Sequence, residues 1–65
     1  MKIRLNGTER EVRAATVADM IAELQLPTER IAVERNKQIV RKADWAAAAL
    51  ADGDQIEVVH FVGGG

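Results

Sequence analysis

The sequence predicts an α+β domain: a mixed sheet with one main helix packed across it and a short second helix. Three observations carry that prediction. Apolar and polar residues alternate near both ends of the chain, in KIRL (2–5) and QIEV (55–58), the period-two signature of strands with one buried face. Asn6–Gly7 follows the first run directly and is a strong hairpin signal, because both residues tolerate positive φ. Between the strands lies a stripe of apolar residues at helical spacing, Val17, Met20, Ile21 and Leu24. An amphipathic helix beside a half-apolar sheet buries both apolar faces by lying across it.

In chain order, Ile3 and Leu5 take the inward face of the first strand and Lys2 and Arg4 the outward one. The return strand, TEREVRA (8–14), continues the alternation with Val12 and Ala14 as its apolar side. Thr16 is the expected N-cap of the helix, and Asp19 forms a capping-box-like pair with it in the positive first turn. The helix runs about ten residues, until Pro27 biases Leu26 away from helical angles and ends it. RIAVERN (30–36) alternates again, with Ile31 and Val33 inward and Ala32 and Glu34 outward, and KQIVRK (37–42) is a short strand or bridge. DWAAAAL (44–50) reads as a short helical turn capped by Asp44, with Trp45 over an edge of the core. ADGD (51–54) turns through Gly53 into the last strand, QIEVVHFV (55–62). The first and last strands are expected side by side.

With 65 residues the chain is one small domain, near the limit at which a core alone can hold a fold. It has no cysteine, so neither a disulfide framework nor a thiolate metal site supports it. The longest apolar run, Trp45–Ala51, is far too short to span a bilayer, and MKIRLNG has no signal-peptide core. No membrane partner is expected, and the expected location is cytoplasmic. A net charge of −1, with basic and acidic residues interspersed, gives no footprint for nucleic acid. Arg35, Lys37, Arg41 and Lys42 do cluster, as a solvated strand–loop surface or a docking patch for an acidic partner.

The chain offers little for catalysis. It has no Ser, Cys or Tyr and a single His, His60, which rules out a serine or cysteine nucleophile paired with histidine. Thr8, Thr16 and Thr28 sit where turn or cap chemistry explains them, and no spacing resembles a metal site. His60 follows the inward parity near a strand end, as a partly exposed structural residue.

The sequence closes on HFVGGG (60–65), and glycine loses more freedom on ordering than any other residue. Residues 1–62 are therefore expected to form the folded domain and 63–65 a flexible tail. By itself such an ending reads as a frayed tail or an expression scar. Along the last strand Ile56 and Val58 point inward, whereas Gln55, Glu57, Val59 and Phe61 point outward. Val59 and Phe61 thus put apolar surface on a face that should be solvated, either covered by neighbouring residues or open to a partner.

Across nearly its whole length the chain resembles the ThiS family of sulfur carriers in thiamine biosynthesis, which have the ubiquitin-like β-grasp fold. The likeness is carried by the Asn6–Gly7 hairpin, TVADMIAEL, VERNKQIV followed by Trp45, LADGDQIEVV and the closing Gly64–Gly65. Gly63 stands where that family often has a small residue such as Ala. The resemblance implies a carrier that is not itself an enzyme and binds no cofactor. An E1-like, ThiF-like adenylating enzyme would use ATP to adenylate the Gly65 carboxylate, and sulfur would replace AMP to leave a thiocarboxylate. A ThiG-like thiazole synthase would consume that sulfur, with Gly63 and Gly64 threading the tail into the partner. Three extended residues reach about 10 Å, and glycine passes where side chains cannot. The free carrier is expected to be a monomer. The small subunit of molybdopterin synthase shares the fold and ending, but its pre-glycine segment is usually proline-rich. A ubiquitin-like modifier and a passive β-grasp binding module are the remaining readings.

Overall fold

Alternation in the first and last strands places Ile3, Leu5 and Ile56 beneath a single helix in this computed structural model, which describes residues 1–62. The expected glycine tail, Gly63–Gly65, lies outside the described residues. Strands β1 (Lys2–Leu5), β2 (Thr8–Glu11), β3 (Ile31–Arg35), β4 (Gln38–Val40) and β5 (Gln55–His60) form one mixed sheet in the order β2-β1-β5-β3-β4. β1 and β5 are parallel neighbours at its centre, with Leu5 beside Ile56, and the other pairs are antiparallel. Helix α1 (Val17–Glu23) buries Val17, Met20 and Ile21 against Ile3, Val12, Val33 and Ile56. This is the β-grasp arrangement.

Both hairpins turn through paired left-handed residues, Asn6–Gly7 between β1 and β2 and Asn36–Lys37 between β3 and β4. The β2 ladder stops at Glu11, three residues before the expected end of the return strand, although Val12 and Ala14 are buried as their pattern requires. The connection beyond it is held by Glu23, whose carboxylate accepts from the N–H groups of Arg13 (3.0 Å) and Ala14 (2.9 Å).

The helix differs from expectation at its end. Thr16 caps its start, accepting from the Asp19 N–H at 3.1 Å. Its finish comes before Pro27, because Gln25 takes a left-handed conformation with φ 55°. The Leu26 N–H then reaches the Ile21 carbonyl (2.9 Å) and the Gln25 N–H that of Ala22 (3.2 Å), a Schellman termination that stops α1 after seven residues.

The second helix also differs. A 3-10 turn, η1 (Lys42–Asp44), ends at Asp44, which therefore does not cap it. The alanines that follow run as a turn, with Ala49 bridged to Thr16. Their backbone serves the helix start instead: Val17 donates to the Ala48 carbonyl and Ala18 to that of Trp45. Those N–H groups are orphans of any helix N-terminus, and satisfying them overrides the helix propensity of alanine. Trp45 lies in the core, not at its edge, and its Nε1 donates to the Val40 carbonyl at 3.1 Å.

Candidate functional site

The last strand occupies the middle of the sheet and precedes the glycines in the sequence by two residues. Its start is held by Asp54, a buried carboxylate. The Arg35 Nε donates to Asp54 Oδ2 at 2.6 Å, the Ala51 N–H to the same oxygen at 2.8 Å, and Asn36 Nδ2 to Oδ1 at 3.0 Å. Burial pushes the Asp54 carboxyl up, but the Ala51 N–H and the donors of Arg35 and Asn36 outweigh it and hold the group below the usual aspartate range.

The middle of the strand is held by Asn6. Its Oδ1 accepts from the Val58 N–H at 2.8 Å and its Nδ2 donates to the Val58 carbonyl at 3.2 Å. A side-chain amide thus imitates one more backbone residue of β1 after the chain has turned away. Sequence reasoning reads Asn6 only as a turn residue, and reads neither Asp54 nor Asn36 as an anchor.

Side-chain parity along β5 is as expected at its start. Ile56 is fully buried and Val58 half-buried beneath the helix, whereas Val59 is 56% and Phe61 50% exposed on the opposite face. Ala32 of β3 lies directly across from Val59, and Glu34 across from Glu57. The patch is therefore apolar near the tail and acidic further back. His60 is exposed. Ile39, on β4 across from Glu34, adds another exposed apolar side chain to that outward face.

The basic cluster does not stay together. Arg35 is turned to Asp54, and Lys42 pairs with Glu29 while its Nζ sits 5.9 Å from the Trp45 ring centroid. The hydrogen bond and charge of Lys42 hold the Glu29 carboxyl below its ordinary value. Of the four, Lys37 and Arg41 are left without an ion-pair partner among the described residues. No group of histidines and carboxylates among the described residues is placed to hold a metal ion. No helix among them is long and apolar enough to cross a membrane.

A small β-grasp sheet whose central strand leads into terminal glycines defines a ubiquitin-like protein. Its sequence matches the ThiS family over residues 3–65, a match that includes all three glycines. The chain belongs to the ThiS family. It is 42% identical to the sulfur carrier protein ThiS of Bacillus subtilis, over 97% of this chain and 98% of that one. It is also 46% identical to a segment of the thiazole synthase of Paramagnetospirillum magneticum, where the whole of this chain spans only 20% of the relative's length. The crystal structure of the thiamine biosynthesis protein ThiS from Geobacter metallireducens superposes with a TM-score of 0.87 at 29% identity, covering both chains completely.

Proposed function

We propose that this chain is the sulfur carrier of thiamine biosynthesis, a co-substrate that presents the carboxylate of Gly65 to partner enzymes. The observation that carries this reading is the end-to-end likeness to the Bacillus subtilis carrier, together with a family match that runs through Gly65. Two proteins named thiazole synthase, from Paramagnetospirillum magneticum and Magnetococcus marinus, hold a segment like this domain in one chain. That supports a thiazole synthase as the recipient.

A carboxylate is a poor acyl donor because its leaving group would be oxide. In the proposed cycle a Gly65 oxygen attacks the α-phosphorus of ATP in an E1-like adenylating enzyme, and pyrophosphate leaves. A sulfide sulfur then attacks the glycyl carbonyl carbon, the C–S bond forms, and the C–O bond to AMP breaks. The product is a thiocarboxylate that ionises to a soft sulfur nucleophile for the thiazole synthase. No side chain of the carrier acts as acid, base or nucleophile, which accords with the absence of Ser, Cys and Tyr. ATP serves the partner and is not held by the carrier, and such a cycle belongs in the cytoplasm. In this reading residues 1–62 form the rigid grip, Gly63 and Gly64 thread the partner's channel, and Val59 and Phe61 meet its surface.

Incubation with a cognate adenylating enzyme, ATP and sulfide is expected to exchange one oxygen for one sulfur, read as a shift in intact mass. Deleting Gly65 is expected to abolish the exchange while leaving the thermal midpoint unchanged. Persistent lack of exchange in the full chain would sink the proposal and favour a passive binding module.

A further inference from the structure

The direction of hydrogen bonding along β5 alternates, and the alternation leaves one rung without a strand. Gln55, Glu57, Val59 and Phe61 turn their backbone groups toward β3: the Asn36 N–H donates to the Gln55 carbonyl (2.7 Å) and the Phe61 N–H to the Arg30 carbonyl (2.8 Å). Ile56, Val58 and His60 turn theirs toward β1. The Ile56 carbonyl accepts the Asn6 N–H at 2.9 Å, and both backbone groups of Val58 are taken by the Asn6 side chain. There the hairpin turns away. Among the described residues no group bonds to the N–H or C=O of His60 on that side. An unpaired rung of this kind is a template for another extended chain.

We propose that the thiazole synthase receiving sulfur from this carrier lays an extended segment beside β5, in line with β1, and pairs with the backbone of His60. This rests on the sulfur-carrier reading. The occupant is an extended backbone because it must supply an acceptor and a donor at strand spacing, where Asn6 and the hairpin end. It has apolar neighbours ready, since Val59 and Phe61 expose half or more of their surface beside the rung. It is assigned to the synthase because the two relatives with a segment like this domain are themselves named thiazole synthase, which keeps domain and synthase in mutual reach.

Such pairing would fix how far the tail extends. Backbone registers along a strand repeat every two residues, about 6.6 Å. A slip of one repeat would therefore use most of the roughly 10 Å that three residues can span. The added strand would act as a ruler for the sulfur atom.

The test uses the full chain made by chemical synthesis, N-methylated at the His60 amide, with the same change at the Phe61 amide as the folding control. Binding to the cognate thiazole synthase is read by calorimetry and stability by thermal melting. Methylation at Phe61 removes its bond to Arg30 and is expected to lower the midpoint by several degrees. Methylation at His60 is expected to leave the midpoint within about 2 °C yet weaken synthase binding roughly tenfold or more, since it deletes a donor and holds the incoming strand off. Unchanged affinity would overturn the pairing and leave the carrier reading intact. A loss of stability at His60 equal to that at Phe61 would also overturn it, because the rung would then be filled within the protein. An unmodified chain that does not bind the synthase would overturn the carrier reading, and the pairing with it.

Discussion

Asp54 sits 6% exposed in a surface turn, its two oxygens surrounded by a guanidinium, an amide and a backbone N–H. The neutral replacement Asp54→Asn keeps the volume but loses the charge and one acceptor. It is expected to destabilise the fold by about 2 kcal/mol in urea unfolding at neutral pH, the scale of hydrogen bonds to a charged group. The folded pKa lies below the unfolded one, so this stabilisation is complete above the unfolded value, near 3.9, and fades as pH falls through the folded value. The difference between wild type and Asp54→Asn should accordingly close in acid; a gap that stays constant would show that the charge is not its source. None of this is legible locally, since Arg35 lies 19 residues from Asp54 and its pattern fits a solvated basic cluster equally well. The turn through Gly53 is legible, because a left-handed residue with φ 88° announces itself as glycine.

At the scale of elements, apolar periodicity locates β1, β3, β5 and the helix, and the Asn6–Gly7 turn locates β2, whose residues Thr8–Glu11 are all exposed, whereas the ends go astray where tertiary contacts decide them. The helix stops at a left-handed glutamine, a position where glycine is the usual signal. Gln25→Gly is thus expected to stabilise the protein by about 0.5–1 kcal/mol, seen as a higher denaturation midpoint with an unchanged slope. A decrease would mean that the Gln25 side chain holds something the backbone argument ignores. The alanine run fails in the opposite sense. Its composition favours a helix, but its carbonyls are recruited by Val17 and Ala18, an event no window of sequence contains.

Across the whole molecule, strand parity divides the sheet into a helix-covered face and an open one, and it places Val59 and Phe61 on the open side from sequence alone. The missing rung at His60 is not readable in that way, because it depends on where β1 ends relative to β5. Phe61→Asp separates surface from core: it is expected to change folding stability by less than about 1 kcal/mol but to reduce synthase affinity tenfold or more. The reverse ranking, read by melting and calorimetry together, would make Phe61 a core residue. The sheet order has a consequence for biosynthesis as well. Because β5 lies between β1 and β3, the nascent chain carries two half-sheets with no centre until Gln55–His60 has left the ribosome. A chain cut before Gln55 is therefore expected to lack a cooperative melt, while one that runs through His60 should regain it.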